Sequence, residues 1–241
     1  MKAREIPLRE TLAFLARSLP DPPQRILEVG AGEGAVAVAL AKLGHDVAGI
    51  DPALERPDET GAARVRWIEA DFLYHDEEGR YDIVLFTRSL HHFESLDLAL
   101  DRATGALRPG GLVLAEEFAF DRVNLPTARW FYDLQSVVAA AGLFADSAES
   151  GEEGNPLGRW RREHAHEGPL HSGHAMLSAA RERFDLTTVE EAPYLYRYFC
   201  ERLGEGEAGD RVAHRVLELE RRLLRERDLA AGGLRFVGRK T

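Results

Sequence analysis

Acidic residues and glycines near the start of the chain have the types and spacing that bind a nucleoside. Glu28 lies in the apolar run Arg25–Val29, and three glycines follow at alternate positions: Gly30, Gly32 and Gly34. Glycine lets the backbone pass close to a ligand, and a helix that begins after the glycines offers free N–H groups. Asp51 comes 21 residues after Gly30, at the end of the next apolar run. A second parallel strand ending there brings a carboxylate to the same ligand, where it can hold ribose hydroxyls.

The segments that position these residues alternate between strand-like and helix-like patterns. Strands are predicted at 25–29, 46–50, 65–70, 81–87 and 112–118, with helices at 35–43 and 96–107. Such alternation predicts an α/β fold with a doubly wound, mostly parallel sheet and right-handed crossovers.

The other segments fit around this alternation in a single domain of residues 1–241. Leucines at helical spacing predict an N-terminal helix within 1–23. The rhythm changes after Phe118, and we interpret 122–175 as an insertion after the fifth strand that forms a substrate-side lid. Ligands of open α/β sheets bind at the carboxyl edge, near which this insertion is expected. A helix near 175–184 then leads into the aromatic run 194–199.

Composition excludes several classes of partner. The net charge of the 241 residues is −10, and basic and acidic residues alternate. Nucleic acid is therefore not expected as a partner, because tracking phosphates needs a positive face. No apolar run approaches the roughly 20 residues of a membrane span, and the N-terminus has no apolar signal core. The lone Cys200 fits a reducing compartment, so a cytoplasmic protein is expected.

The glycine motif permits two kinds of nucleoside ligand. Gly30-x-Gly32-x-x-Ala35 also satisfies a relaxed dinucleotide pattern, in which Asp51 would hold an adenosine ribose. Glu28 argues against that interpretation, because a carboxylate inside an apolar strand costs several kcal/mol to bury unless it is paired. A cationic ligand supplies the partner, whereas the pyrophosphate of NAD would be repelled.

Further motifs resemble the class I S-adenosylmethionine-dependent methyltransferase superfamily, particularly its small-molecule branch related to quinone-biosynthesis methyltransferases. They are Asp71-Phe72 after the third strand, Arg88-Ser89-Leu90-His91-His92-Phe93 after the fourth, and Leu107-Arg108-Pro109-Gly110-Gly111 before the fifth. The resemblance covers about residues 24 to 120. The run Phe236–Lys240 is similar to the superfamily's last, antiparallel strand, which implies a seven-stranded sheet.

The resemblance implies a role for each matching position. Glu28 would lie close to the methionine amino group of S-adenosylmethionine, and the three glycines would let the backbone approach its methionine part and ribose. Asp51 would accept both ribose hydroxyls, and Asp71 would meet the adenine amino group with Phe72 beside the ring. Arg88 and Ser89 would line the pocket after the fourth strand.

The methyl acceptor is expected to be a small metabolite, methylated on oxygen or carbon by in-line displacement. Members that methylate planar nitrogens often carry an Asn/Asp-Pro-Pro-aromatic motif where this chain has Arg88-Ser89-Leu90-His91. The candidates for a general base are histidines and one glutamate: His91, His92, His166, His171 and Glu116. No metal is expected, because arginines neighbour the later histidines and no cysteine pair accompanies them. Two alternatives stay open, an NAD-type oxidoreductase and a binding domain without catalysis, and the oligomeric state is not specified.

Overall fold

The computed structural model describes residues 1–55, 64–145, 154–165 and 170–241. Seven strands form one sheet in the order β3-β2-β1-β4-β5-β7-β6. Their bounds are β1 Arg25–Val29, β2 Asp46–Asp51, β3 Val65–Glu69, β4 Tyr81–Thr87, β5 Leu107–Phe118, β6 Phe184–Ala192 and β7 Gly233–Lys240. The first four strands therefore begin and end within a residue of the positions that the apolar runs predict.

Helices connect the strands. They are α1 Ile6–Ser18, α2 Ala35–Lys42, α3 Leu96–Ala106, α4 Leu125–Ala140, α5 Pro156–Ala165, α6 Gly173–Arg181, α7 Tyr196–Arg202 and α8 Glu207–Glu226. Short 3-10 turns follow two of the strands, at Phe72–Tyr74 after β3 and at Leu90–His92 after β4. None of the described helices is long and apolar enough to cross a lipid bilayer.

Parallel pairing brings the carboxyl ends of four strands to one edge of the sheet. β1 pairs in parallel with β2 and β4, so that Val29 lies opposite both Ile50 and Phe86. β3 and β5 extend the parallel arrangement on either side. The residues that follow β1, β2, β3 and β4 therefore meet at this edge, as the sequence predicts.

The last strand runs antiparallel to its neighbours. Near its start, Arg235 bonds to Glu116 close to the end of β5, and at its end the Lys240 Nζ donates to the Leu107 carbonyl at 2.7 Å. Residue numbers thus rise along β7 as they fall along β5. This topology confirms the predicted fold class, a doubly wound sheet with an antiparallel last strand.

The structure departs from the predicted elements after the fifth strand. The helix expected to reach residue 184 ends at Arg181, and Phe184 begins β6. The aromatic run after this strand, to which the sequence assigned no element, starts helix α7. The Arg-Pro-Gly-Gly turn is absorbed into β5, where a register shift between Tyr81 and Ile83 accommodates it.

The chain divides into two compact units. The sheet unit comprises Thr11–Phe118, His171–Glu190 and Leu234–Thr241, and the helical unit comprises Met1–Glu10, Ala119–Leu170 and Glu191–Gly233. In the helical unit, Phe131 packs edge-to-face on Trp160 and Phe199, with ring centroids 5.5 and 5.7 Å away. His164 is buried beside them in α5 and bonds to the Tyr198 hydroxyl at 2.9 Å. The single domain and the role of 122–175 as a lid stay predictions.

Candidate functional site

A cavity of about 380 Å³ opens at the carboxyl edge of the sheet unit. Its wall is built from the segments that follow four strands: Gly30 after β1, Asp51 and Pro52 at β2, Asp71, Phe72 and Leu73 after β3, and Arg88, Ser89, His92, Phe93 and Glu94 after β4. Six of the nine residues predicted to bind the cofactor therefore line one cavity, and the other three are Glu28, Gly32 and Gly34.

Asp51 closes the glycine turn and presents its carboxylate to the cavity. Its Oδ2 accepts the Gly32 N–H at 2.9 Å, and its Oδ1 accepts the Ala53 N–H at 2.8 Å. Gly32 has φ +50°, and a Cβ added there would meet no atom within 4 Å. Each carboxylate oxygen has more than one lone pair, so Asp51 can still accept hydrogen bonds from the hydroxyls of a ligand.

Glu28 is almost fully buried, and only one of its two carboxylate oxygens makes a hydrogen bond among the described residues. Its Oε1 accepts the Thr87 hydroxyl at 2.7 Å, whereas its Oε2 has no hydrogen-bond partner among the described residues. Burial raises the pKa of this carboxyl to about 7, and the Thr87 hydroxyl and the backbone N–H of Ala37 in α2 oppose the rise. Glu28 does not itself line the cavity, although it lies two residues before Gly30. A buried carboxylate oxygen without a described partner fits a site for a cationic group.

The segment after β3 places a carboxylate and an aromatic ring on the wall. Asp71 is exposed, and its Oδ1 caps the following 3-10 turn by accepting the Leu73 N–H at 2.9 Å. Phe72 is buried and packs edge-to-face against Phe86 and Phe93, with ring centroids 6.2 Å away in each case. Asp71 therefore serves as a turn cap while its position leaves it on the cavity wall.

The turn after β4 is held tightly against β1. Arg88 adopts a left-handed backbone with φ +60°, which is uncommon outside glycine, and its N–H bonds to the Glu116 carbonyl at 2.8 Å. The Ser89 hydroxyl donates to the Val29 carbonyl at 2.5 Å. The Arg88 side chain is exposed, and its positive charge is one of the influences that favour the ionised form of Glu28 and lower its pKa.

The predicted histidines occupy different places. His92 is exposed and lines the cavity, whereas His91 is buried and donates from Nδ1 to the Glu117 Oε2 at 2.5 Å. The two rings are in contact at a tilt of 40°, with centroids 4.1 Å apart. His171 bonds through its backbone N–H to the His91 carbonyl and through Nε2 to the Phe93 carbonyl, at 2.9 and 2.7 Å. His166 lies outside the described residues.

The two adjacent glutamates of β5 face opposite sides of the strand, as successive strand residues do. Glu116 is buried against Arg235, whose Nε donates to it at 2.8 Å, and also accepts the Thr11 hydroxyl. It does not line the cavity, so this candidate base is corrected to a structural ion-pair residue. Glu117, which the sequence did not single out, faces the turn after β4. The signal was the pair of adjacent carboxylates near the end of an apolar strand, because neighbouring strand residues face opposite sides and need separate partners.

No group of histidine, cysteine, aspartate or glutamate side chains with the arrangement of a metal site occurs within 1–55, 64–145, 154–165 and 170–241. The chemistry that the described cavity offers is hydrogen bonding to hydroxyls and amines, one aromatic wall and the imidazole of His92.

The sheet order, the antiparallel β7 and the glycine turn facing Asp51 define the fold of class I S-adenosylmethionine-dependent methyltransferases. The chain belongs to the methyltransferase domain family, whose model matches residues 2–191. The sequence-based assignment to this superfamily is therefore confirmed, and the domain is an S-adenosylmethionine-dependent methyltransferase domain.

Two curated relatives each match less than half of the chain. An uncharacterized methyltransferase of Mycobacterium bovis is 33% identical over 111 residues, which are 44% of this chain and 56% of that protein. A ubiquinone biosynthesis O-methyltransferase of Azorhizobium caulinodans is 33% identical over 108 residues, which are 41% of this chain and 42% of that protein. The chain thus spans about half the length of the curated relatives it matches.

Similarity of fold extends along nearly the whole chain. A phosphoethanolamine N-methyltransferase of Haemonchus contortus, solved with phosphomonomethylethanolamine and S-adenosylhomocysteine, aligns with a TM-score of 0.60 at 19% identity. The alignment covers 96% of this chain and 52% of that protein. At this identity the likeness concerns the fold alone, and the cofactor product in that structure agrees with the cofactor predicted for this chain.

Proposed function

We propose that the protein transfers the methyl group of S-adenosylmethionine to an oxygen or carbon atom of a small metabolite. The observation that carries the proposal is the buried Oε2 of Glu28, which lacks a partner among the described residues and lies two residues before a glycine turn. A cofactor with an ammonium group supplies that partner, whereas a dinucleotide brings a pyrophosphate that Glu28 would repel.

The residues predicted to bind the cofactor have distinct tasks in this proposal. Asp51 accepts hydrogen bonds from the ribose hydroxyls, and Asp71 accepts one from the adenine amino group. Phe72 lies beside the adenine ring. Gly30, Gly32 and Gly34 give the cofactor room beside the backbone, and Arg88 and Ser89 line the cavity after β4. Glu28 attracts the methionine ammonium, directly or through water.

Transfer requires little covalent chemistry from the protein. When bound, the cofactor supplies a sulfonium whose methyl carbon is already electrophilic. The chain aligns the acceptor with that carbon and excludes water, and orientation of two reactants contributes about 7–11 kcal/mol to such reactions. If the acceptor is a hydroxyl or an acidic carbon, a base removes its proton. His92 is the described candidate on the cavity wall, while His91 and His171 are engaged in holding the turn.

The atom that receives the methyl group is inferred from the residues after β4. Arg88-Ser89-Leu90-His91 stands where methyltransferases of planar nitrogens often carry an Asn/Asp-Pro-Pro-aromatic motif. One relative is an O-methyltransferase by name and one structure of similar fold is an N-methyltransferase, so the choice rests on this motif. We extend the proposal to a cytoplasmic protein that binds no nucleic acid, supported by the net charge of −10 and the single cysteine.

The proposal is tested in two stages. Calorimetric titration should show binding of S-adenosylhomocysteine and none of NAD, and the opposite preference would identify an oxidoreductase-like domain instead. Methyl transfer from isotopically labelled S-adenosylmethionine is then screened over phenols, quinols, carboxylic acids and amines. Products on oxygen or carbon are expected. Transfer only to amines contradicts the choice of atom, and binding without transfer to any compound indicates a domain that has lost catalysis.

A further inference from the structure

Glu117 is a fully buried carboxylate whose hydrogen bonds, within the described part of the chain, lead to the turn after β4. Its Oε1 accepts the N–H groups of Ser89 and Leu90, at 3.2 and 3.0 Å, and its Oε2 accepts Nδ1–H of His91 at 2.5 Å. One side chain thus binds three consecutive residues of a turn that would otherwise leave buried donors unpaired.

This turn supplies much of the cavity wall. The cavity-lining residues of this segment are Arg88 and Ser89 just before the 3-10 turn, His92 at its end, and Phe93 and Glu94 after it. Glu117 itself does not line the cavity. Its influence on a ligand must therefore pass through the backbone positions that it fixes.

A second clamp holds the same turn at its far end. The His171 backbone N–H bonds to the His91 carbonyl, and the His171 Nε2 bonds to the Phe93 carbonyl. Glu117 accepts from the donors at the start of the turn, whereas His171 donates to the carbonyls toward its end. The turn is consequently fixed through donors and acceptors alike.

We propose that Glu117 is a positioning residue that sets the geometry of the cofactor cavity by anchoring residues 89–91. The proposal rests on the proposed function, since it concerns the same cavity. Glu117 also selects the tautomer of His91, because a carboxylate at Nδ1 requires a proton on that nitrogen. His91 then presents its ring to His92, the histidine on the wall.

Two substitutions at one position separate positioning from simple folding. Glu117→Gln keeps one oxygen, which can still accept the two backbone N–H groups. It replaces the other oxygen, the one that accepts from His91, with an amide NH₂ that cannot accept. Glu117→Ala removes all three bonds. If positioning operates, Kd for S-adenosylhomocysteine rises about tenfold or more in the alanine variant and about threefold in the glutamine variant, following the strength of charge-assisted bonds. Amide hydrogen exchange at Ser89 and Leu90 should accelerate in the same order.

The helical unit provides a matched control. Glu220 is also a buried carboxylate that accepts backbone N–H groups, here those of Tyr194, Leu195 and Tyr196 at 2.8, 3.0 and 2.8 Å. Glu220→Gln therefore imposes a similar loss on the other unit. We expect it to accelerate exchange at 194–196 and to leave the Kd for S-adenosylhomocysteine within about twofold of the original value, since the hydrogen bonds described for the two glutamates involve different residues.

Each outcome decides a separate question. Failure of the unaltered protein to bind S-adenosylhomocysteine contradicts the proposed function itself. Binding by the unaltered protein, together with an unchanged Kd in Glu117→Gln and Glu117→Ala, overturns the positioning role. An equal loss of affinity in Glu220→Gln also overturns it, because general destabilisation would then explain both. Should Glu117→Ala not fold, the glutamine variant and its exchange at Ser89 and Leu90 still decide.

Discussion

The side chain of Ser89 occupies the space that a side chain at position 30 would need. A Cβ built on Gly30 would lie 2.3 Å from the Ser89 Cβ, and Gly30 has φ +75°. The Ser89 hydroxyl meanwhile donates to the carbonyl of Val29, the residue just before Gly30. The turns after β1 and β4 are therefore locked together at a point where only glycine fits, for reasons internal to the protein as well as for room beside a ligand.

Gly30→Ala should destabilise the fold more than Gly32→Ala does. Both alanines face a positive φ, which costs roughly 1–2 kcal/mol, but only at position 30 does the new Cβ meet a neighbour. Overpacking adds about 1–3 kcal/mol there. Urea unfolding of the two variants measures the difference. In a Ser89→Gly background the loss at position 30 should shrink, and equal losses for both alanines in the original background would contradict the contact.

Asp51→Ala should weaken binding of S-adenosylhomocysteine about 10- to 150-fold, because a charge-assisted hydrogen bond to the ribose is worth roughly 1.5–3 kcal/mol. Asp46→Ala, at the exposed opposite end of the same strand, is the control and should bind normally. Calorimetric titration at constant pH provides the measurement. Unchanged affinity in Asp51→Ala would remove this residue from the cofactor site.

The ion pair of Arg235 and Glu116 should matter for stability and not for cofactor binding. The side chains are 7% and 4% exposed, and neither lines the cavity. Removing one partner of a buried ion pair costs about 3–5 kcal/mol, because the other charge is left uncompensated. Arg235→Met should therefore lower the free energy of unfolding by about this amount, measured in urea, while Kd for S-adenosylhomocysteine stays constant in the folded protein.

The Arg235→Met/Glu116→Gln double variant completes this test. It should be more stable than the sum of the two single losses predicts, because no lone charge remains. Additive losses would show that the two residues contribute independently. A large loss of cofactor affinity in Glu116→Gln would restore this glutamate as a residue of the site.

The parts of the fold that the sequence predicts are those encoded in short runs. β1 to β3 are short runs that end near glycine, proline or aspartate, so their ends, and hence Gly30, Asp51 and Asp71, follow from local pattern. Parallel pairing then brings those ends together without any knowledge of side-chain contacts. β6 was not predicted from the sequence. It is an edge strand whose burial does not alternate regularly, and its residues include Asp185 and Glu190.

Contacts between distant positions could not be predicted in this way. Glu116 and Glu117 are adjacent residues of the same type, so the sequence does not distinguish them. Glu116 nevertheless binds Arg235, 119 residues away, and Glu117 binds the turn that contains His91. Which glutamate faces which side depends on strand register, which shifts between Tyr81 and Ile83 where β4 pairs with β5. The same limit applies to His91 and His92, adjacent residues of which one is buried and the other lines the cavity.

Glu28→Gln should stabilise the protein without cofactor above neutral pH. Burial raises the pKa of Glu28 from 4.5 to about 7, so the folded protein binds this proton more tightly than the unfolded chain does. Stability attributable to this group is therefore greatest below pH 4.5 and is lost as the pH rises to about 7. The full cost, of order 3 kcal/mol, applies above that pH. Thermal unfolding at pH 8 should favour Glu28→Gln, and the advantage should disappear near pH 4.5.

Cofactor binding should show the opposite dependence on the same group. The methionine ammonium needs the ionised carboxylate, so the affinity of the unaltered protein for S-adenosylhomocysteine should fall below pH 7, by up to about tenfold per pH unit. Titrations near pH 6 in buffers of different ionisation enthalpy should reveal release of a proton on binding. Glu28→Gln should bind more weakly at pH 8, with little dependence on pH and no proton release. If the affinity of the unaltered protein stays constant between pH 5 and 8, the buried Oε2 does not face the cofactor, because an ammonium placed there must compete with the proton that burial favours.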